Sequence, residues 1–437
     1  MKSFRTIMAA SLAATTMLSL AACGSNTSSN EGTADNPVTI NVWAWEPTLT
    51  PVAKAFEKKY PNIKVKITNA GTAQKQYTAI NNALQAGKGA PDVAQIEYFA
   101  VPQFVLQNSL KDLSEFGADK FDGYYTPGPW ASVTYGGGVH ALPIDSGPDA
   151  MFYNKETFDK AGIIEAPKTW DEFYEAAKKL RAIGAYITCE PANIAVTEAW
   201  IWAAGGRTVT ADGENITINY ANDPIAQQYY AFMQKLIDED LIDTKLSMWS
   251  EEWYKALEDG SLATITTGAW MAAMLKDGVT TGEGKWRVAG LPQIDANTDG
   301  NGEDGGSSLA VLEGSDKASA AYKFVEFAAH DREGVKIRID KGQFPADTET
   351  MSDEQFLTKT DPYFGDQKYQ DVLVEGAKKV GTQWQFLPYE VDARTRFGDY
   401  IGKASSGEIT YQQGIEQWQE SLIQYGNGQG FKVTTGQ

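Results

Sequence analysis

Histidine and cysteine are nearly absent from this chain, which has only two of each among 437 residues. Catalysis by histidine, metal sites built from histidine and cysteine, and disulfide scaffolds therefore have little to work with. Acidic residues outnumber basic ones, 57 against 38, and the formal net charge of −19 argues against binding nucleic acid through a basic face. We also find no nucleophile elbow, P-loop or zinc spacing. The sequence therefore predicts neither a metal site nor a cofactor.

Long apolar runs are missing as well, apart from one at the N-terminus that is too short to span a bilayer permanently. Basic residues precede this run, residues 7–20, and Leu-Ala-Ala-Cys ends it at Cys23. The combination is typical of a bacterial lipoprotein, so we predict a signal peptide at 1–22 and acylation of Cys23, with ordinary secretion as the weaker alternative. Residues 23–36 are small and polar, which predicts a lipidated flexible tether. We expect the mature protein on the outer face of the cell membrane, held there by lipid alone.

Beyond the tether, the chain alternates between strand and helix patterns. Residues 38–43 and 63–67 alternate apolar and polar side chains, helical spacing follows each of them, and a third strand comes at 93–96. This order predicts a mostly parallel sheet flanked by helices, in which ligands bind beyond the carboxyl ends of the strands. Those ends carry Trp45, Glu46, Glu97 and Tyr98.

Residues 136–155 separate this set of elements from a second one. Two apolar runs are broken there by Asp-Ser-Gly-Pro at 145–148. Such a break can absorb a change of φ and ψ, which makes it a candidate hinge between two domains; an ordinary loop within one sheet is the alternative. A second β/α set follows. Thr169 with Glu172 three residues on has the spacing of a capping box, which predicts a helix start there. Residues 187–191 are predicted as a strand end, and a strand at 263–267 leads to Trp270. This restart favours the hinge.

Residues 295–304 are acidic and rich in glycine. Asp295, Asn297 and Asp299 have the spacing that opens a calcium-binding loop. The twelfth position of that loop is Gly306, where the pattern needs a bidentate glutamate. A solvated acidic turn is therefore the favoured interpretation, and calcium binding is the weaker one.

Short segments along the chain match one known family in order and spacing. They are AFEKKYP at 55–61, GAPDV at 89–93, ALP at 141–143, FYNK at 152–155, PKTWDEF at 167–173, GAW at 268–270 and GGSS at 305–308. Through them the chain resembles the extracellular solute-binding proteins of ATP-binding-cassette importers (solute-binding family 1), in the maltose-binding-protein-like group that serves oligosaccharides. The resemblance covers nearly all of the mature chain.

The resemblance implies an α/β protein with the two-lobed type II fold of periplasmic binding proteins. Each lobe is expected to be a mostly parallel sheet flanked by helices, with hinge crossings between the lobes. Lobe one would comprise residues 37–145 plus 310–343, and lobe two 146–309 plus 344–437. The crossings would fall near 145–148, 307–311 and 342–345. A ligand favours closure of such lobes only through contacts that it makes to both of them.

A pyranose has an apolar face and a rim of hydroxyl groups, which suit aromatic rings and carboxylates respectively. The resemblance places Trp270 where the family has a stacking ring, and Glu190 where a carboxylate meets the sugar. The predicted ligand-binding residues are Trp270, Trp45, Glu46, Glu97, Tyr98, Asp145, Glu190, Trp200, Trp202, Gly306, Tyr363, Asp392 and Arg394. For Trp200 and Trp202, burial in a core helix is an equal alternative. The family often has an aromatic residue near Arg394 that this chain lacks, and Trp384 or Glu390 are further candidates for that far subsite.

We therefore expect a monomeric, lipid-anchored protein, not an enzyme, that captures an oligosaccharide between two lobes and delivers it to an ATP-binding-cassette permease. The same fold binding a peptide, a polyamine or a metal complex is one alternative, because an acidic cleft also suits cations. A glycoside hydrolase that uses two carboxylates, such as Glu97 and Asp145, is a less favoured one.

Overall fold

The structure is a computed structural model that describes residues 32–436. The predicted signal peptide, Cys23 and most of the predicted tether lie outside these residues. Within the described part, no helix combines the length and the apolar character that crossing a bilayer requires.

Strands and α-helices alternate along most of the described chain. The strands are β1 (Val38–Trp43), β2 (Ile63–Thr68), β3 (Val93–Glu97), β4 (Thr134–Tyr135), β5 (Gly138–Val139), β6 (Leu142–Pro143), β7 (Asp149–Asn154), β8 (Val209–Asp212), β9 (Asn215–Ile218), β10 (Thr264–Gly268), β11 (Trp286–Gly290), β12 (Ser307–Val311) and β13 (Lys432–Thr435). The helices are α1 (Leu49–Lys59), α2 (Gln74–Gln85), α3 (Val101–Leu106), α4 (Pro127–Ala131), α5 (Lys155–Lys160), α6 (Trp170–Ala182), α7 (Ile194–Ala203), α8 (Pro224–Asp238), α9 (Glu251–Asp259), α10 (Met271–Gly278), α11 (Ala318–Ala329), α12 (Arg332–Ile339), α13 (Thr348–Met351), α14 (Glu354–Thr358), α15 (Tyr369–Lys378), α16 (Glu390–Ser405) and α17 (Tyr411–Gly428).

The first sheet has the strand order β2-β1-β3-β12-β6. Strand β1 pairs in parallel with β2 and β3, as the β-α-β-α-β pattern predicts. Strand β12 is antiparallel to both β3 and β6, and its register sets Ser307 opposite Glu97. Ile40 and Val42 of β1 are fully buried, and Phe56 of α1 packs edge-on against Phe324 of α11 in the same core. The carboxyl ends of β1 and β3 therefore meet at one edge of this sheet.

The second sheet has the order β10-β7-β11, with β7 antiparallel to both neighbours. Residues 187–191, predicted as the end of a strand, follow an isolated parallel bridge from Tyr186 to Leu262, just before β10, and include another from Cys189 to Asp243. Strands β10 and β11 run the same way and β7 is reversed, so both pairings in the second sheet are antiparallel, whereas β1 has parallel neighbours in the first sheet. The predicted helix start at Thr169 is confirmed, because its hydroxyl accepts from the backbone N–H of Glu172 and α6 begins at the next residue.

A third sheet, β13-β9-β8, pairs the C-terminal strand with a hairpin that lies between α7 and α8 in the sequence. Strands β4 and β5 form a separate short hairpin. Helices α8, α16 and α17 share one large core, in which Tyr220 packs against Trp418. This core extends to Met151 of β7 and therefore belongs with the second sheet.

Three segments connect the parts of the protein built on the first and second sheets. Residues 144–148 lead from β6 to β7, residues 291–306 lead from β11 to β12, and residues 340–347 leave α12 for the helices that precede α15. Helix α12 packs on α1 and α11 of the first sheet, whereas α15 packs on β7 and β11 of the second. One aromatic core spans both parts, since Tyr77 and Tyr98 cluster with Trp202 and Phe386.

Candidate functional site

The tip of β1 carries Trp45 and Glu46, and a glutamine from β3 holds it in place. The backbone N–H groups of Trp45 and Glu46 donate to Oε1 of Gln95 at 3.1 and 3.0 Å. The amide nitrogen of Gln95 donates in turn to the hydroxyl of Ser307 at 3.1 Å. Trp45 meets Tyr77 edge-on, with 6.3 Å between ring centroids. The two predicted residues are thus fixed next to the junction of β3 and β12, and both side chains stay partly exposed.

Glu97 ends β3 and forms a reciprocal pair with Tyr77. The tyrosine hydroxyl donates to Oε2 of Glu97 and accepts from its backbone N–H, each at 3.0 Å. Burial raises the pKa of Glu97 to about 7, while the charge of Arg394 opposes that rise. Near neutral pH this carboxyl group can therefore act either as a hydrogen-bond donor or as an acceptor.

Asp145 lies in the first connecting segment and binds the third one and the first residue of β12. One of its carboxylate oxygens accepts from the N–H of Ser307, and the other accepts from the side-chain amide of Gln343 at 3.0 Å. Its backbone carbonyl accepts from the hydroxyl of Tyr98, so that predicted site residue also packs against the connection. Burial raises the pKa of Asp145 to about 6. Asp145 thus joins the first connecting segment to the third and to the start of β12, where the second one ends, which was not predicted from the sequence.

The second connecting segment contributes two buried acids, Glu303 and Asp304, that the sequence analysis placed in a solvated turn. That interpretation was wrong for these positions, because Glu303 accepts from the N–H of Gly147 at 2.8 Å and Asp304 accepts from the hydroxyl of Thr267 at 2.6 Å. Their side chains fill the junction between segments. Burial raises the pKa of Glu303 to about 7 and also raises that of Asp304.

The exposed beginning of the same stretch does form a turn. Asp295 accepts there from the N–H groups of Asn297 and Thr298 at 2.8 and 2.9 Å. Among residues 32–436, no group of three or more histidine, cysteine, aspartate or glutamate side chains could hold a metal ion. The predicted site residue Gly306 has φ +82, and a Cβ there would lie 2.3 Å from the ring of Tyr98. The absence of a side chain at Gly306 therefore lets the backbone pack closely against Tyr98.

Trp270 immediately precedes α10 and is half-buried. Its indole nitrogen donates to the backbone carbonyl of Asp304 at 2.8 Å, which ties the ring to the second connecting segment. Its ring stacks against Trp249, at 5.7 Å between centroids and 29° between planes. Sequence reasoning missed Trp249, which is 48% exposed and has φ +71. The sequence signal that could have identified Trp249 is its position directly before Ser250, the serine that caps α9.

Glu190 sits at the end of a bridge-forming segment of the second sheet. Its Oε2 accepts from the backbone N–H of Met248 at 2.9 Å, next to Trp249 in the chain. Burial raises the pKa of Glu190, which that hydrogen bond opposes. Two predicted residues, Glu190 and Trp270, are therefore linked through Met248 and its neighbour Trp249, and Trp270 continues the line of contacts to Asp304.

Arg394 projects from α16 into the aromatic core that spans both parts of the protein. Its guanidinium lies 4.3 Å from the ring centroid of Phe99 and pairs with Glu198 at 2.9 Å and Glu390 at 3.0 Å. Trp202, also predicted, stacks on Trp384 at 4.0 Å with 7° between planes. Trp202 and Trp384 are 5% and 9% exposed, so the two rings are covered mainly by each other and by neighbouring aromatics.

Three predicted site residues make other contacts in this conformation, and of the two alternatives for Trp200 the structure shows the buried one. Trp200 is 4% exposed and packs in an aromatic core with Trp170 and Phe173, because its side of α7 faces the interior. The hydroxyl of Tyr363 donates to backbone carbonyls at the end of α10, at 2.8 and 3.0 Å. Asp392 pairs with an arginine one helical turn on, at the surface of α16.

Two open cavities are each lined by residues from both parts of the protein. One of about 760 Å³ is lined by Ala269 and Lys341, and the other, of about 630 Å³, by Tyr135 and Trp384. Glu97 lines neither of them and is partly exposed.

A sequence profile described as bacterial extracellular solute-binding protein matches residues 44–334, more than half of the chain. The chain belongs to this family. The solute-binding protein has the two-domain α/β fold of its solved relatives, and it is not an enzyme.

Similar proteins of known structure or function agree with this assignment. The ABC-transporter-associated binding protein of B. animalis subsp. lactis, solved with β-1,6-galactobiose, is 46% identical with a TM-score of 0.83, over 91% of this chain and 100% of that one. The galacto-N-biose/lacto-N-biose I-binding protein of Bifidobacterium longum, solved with lacto-N-biose, is 26% identical with a TM-score of 0.80, over 91% and 99%. The arabinooligosaccharide-binding protein of Bacillus subtilis is 24% identical over 341 residues, 73% of this chain and 75% of that protein.

Proposed function

We propose that this protein captures a disaccharide or short oligosaccharide between two lobes and delivers it to the permease of an ATP-binding-cassette importer. The observation that carries the proposal is the half-exposed Trp249–Trp270 pair, tied by a hydrogen bond to Asp304 in a connecting segment. Stacked aromatic area beside buried carboxylates is the combination that a pyranose needs, since its flat side is apolar and its hydroxyl groups donate hydrogen bonds.

The similar solved proteins support the choice of ligand. Both were crystallised with disaccharides, and β-1,6-galactobiose occupies the one that is 46% identical. We therefore propose a galactose-containing disaccharide as the preferred solute. An acidic site also suits a polyamine, but the exposed stacked tryptophans favour a sugar.

We further propose lobe one at 37–145 plus 310–343 and lobe two at 146–309 plus 344–437, so that two boundaries fall in the first and third connecting segments and the other falls within β12. A sugar would contact Trp45 and Glu97 from lobe one and Trp270 from lobe two, and it would thereby favour closure. Acylation at Cys23 would hold a monomer at the membrane beside its permease. The extracellular location of the family agrees with that arrangement.

Calorimetry of residues 32–437 with β-1,6-galactobiose tests the proposal. We expect saturable binding, a change in tryptophan fluorescence and a rise in Tm through linkage, with the sugar recovered intact. Trp270→Ala should weaken binding by about 2 kcal/mol or more, close to thirtyfold, because it removes a central stacking ring. Ile164→Ala, at a side chain 85% exposed, is the control and should bind normally. Absence of binding to a panel of galactosides, with binding of spermidine instead, would refute a sugar ligand.

A further inference from the structure

Two residues other than glycine adopt left-handed backbone conformations on either side of one hydrogen bond. Glu190 has φ +51, and Trp249 has φ +71. For a bulky side chain such as tryptophan, a positive φ is an outlier that persists only where the surrounding structure enforces it, and such residues cluster at functional sites. The two residues are 59 positions apart in the chain, so tertiary contacts must enforce this geometry.

Those contacts fasten residues 244–250 to the segment that carries Glu190. The carboxylate of Glu190 accepts from the N–H of Met248 at 2.9 Å, and the amide of Asn193 lies 3.3 Å from the sulfur of the same methionine. At the base of the loop, the backbone N–H of Glu190 donates to the carbonyl of Asp243 at 3.1 Å. Among these contacts, the Glu190–Met248 bond is the one that holds the backbone immediately before Trp249.

The fastened loop presents Trp249 to solvent. Its side chain is 48% exposed, which is rare for tryptophan, and it contacts Trp270 and Trp253 at 5.7 and 5.2 Å between centroids. Trp249 is thus packed against two other tryptophans and is still about half exposed to solvent. The ring extends the aromatic area that Trp270 begins, which is the surface that a second sugar ring would require.

We propose that Glu190 is a positioning residue whose carboxylate holds residues 244–250 so that Trp249 covers the second ring of a bound disaccharide. This role differs from the one that the family resemblance implies, in which the carboxylate touches the sugar itself. The inference rests on the proposed function for its sugar ligand, but the positioning step stands on the Glu190–Met248 bond alone.

Spectroscopy tests the positioning step without any ligand. Stacked indoles give an exciton couplet in far-ultraviolet circular dichroism. Trp249→Phe should lower the intensity of this couplet by the part that comes from the Trp249–Trp270 pair, and Glu190→Ala should lower it by the same amount. Glu190→Gln should keep the couplet, because its amide oxygen can still accept from the N–H of Met248. An unchanged couplet in Glu190→Ala would overturn the positioning role.

Binding of β-1,6-galactobiose tests the consequence. Trp249→Ala and Glu190→Ala should each weaken it at least tenfold, whereas Glu190→Gln should stay within about threefold of the parent. The double alanine variant should be no weaker than Trp249→Ala, since both changes remove the same contact. Additive losses, or a Glu190→Gln variant as weak as Glu190→Ala, would show that the carboxylate meets the sugar directly and would overturn the inference. If the parent binds no sugar, the proposed function fails, and only the spectroscopic result then decides the positioning step.

Discussion

Replacement of Arg394 with methionine is expected to destabilise the protein by about 3 to 5 kcal/mol, because it leaves buried carboxylates without their counter-charge. The guanidinium is 2.9 Å from Glu198 and 3.0 Å from Glu390, whose side chains are 1% and 0% exposed, against 18% for the arginine itself. Burial raises the pKa of both carboxyl groups, and Arg394 opposes that rise. The substitution also removes a cation from above the ring of Phe99.

Urea and thermal unfolding followed by tryptophan fluorescence measure this loss. With an unfolding entropy of about 2 cal/mol/K per residue, 4 kcal/mol in a protein of about 400 residues corresponds to a fall in Tm of about 5 °C. The loss should be larger at pH 9 than at pH 6. Burial raises the pKa of Glu198 to about 8, so its carboxyl group carries the charge that Arg394 compensates mainly above that pH.

The matched control is Arg396→Met on the same helix. That arginine makes the same kind of pair with Asp392, but the two side chains are 38% and 26% exposed. Solvent screening makes such pairs worth less than about 1 kcal/mol. If Arg394→Met costs no more than Arg396→Met at pH 9, or if adding Glu198→Gln and Glu390→Gln recovers nothing, the buried ion cluster does not stabilise the fold in the way described.

Two further outcomes follow from the connecting segments. Burial raises the pKa of Glu303 from an ordinary value of 4.5 to about 7, so on raising the pH the unfolded chain loses this proton before the folded protein does. The free energy of unfolding therefore falls as pH rises from 4.5 to 7, by up to about 3 kcal/mol for this group. Urea midpoints should decline across that window, and less steeply in Glu303→Gln; equal slopes would contradict the assignment. Gly147→Ala should lower the Tm and alter ligand-linked closure, since its Cβ would lie 2.1 Å from the carbonyl of Asp304, whereas Gly398→Ala on α16 meets nothing within 4 Å and should stabilise by about 1 kcal/mol. A Gly147→Ala variant as stable as the parent would show that this close approach is tolerated.

Much of the fold could be predicted because it depends on local patterns. The period-two alternation at 38–43 and 63–67 marks strands that the structure pairs in parallel, residue by residue. The Thr169 cap begins a helix as expected. The chemistry at the strand ends was also visible, since Trp45 and Glu97 follow directly from where a parallel sheet stops.

The other parts of the candidate site depend on contacts between residues far apart in the chain. Glu303 was misplaced as a solvated acid because its partner, Gly147, lies 156 positions earlier. Trp200 and Trp202 are two residues apart on one helix, yet Trp200 packs against Trp170 in the core that belongs with the second sheet, and Trp202 stacks on Trp384. No local periodicity distinguishes their surroundings, because α7 is apolar on every side.

The sequence by itself determined the alternation of strands and helices, the family, and the residue types available for a sugar, because each follows from spacing along the chain. Tertiary structure alone decided which acids are buried at the connecting segments and that Trp249 stands beside Trp270. The physical reason is that burial and hydrogen bonding are properties of surroundings, and those surroundings are assembled from several segments that meet only after folding.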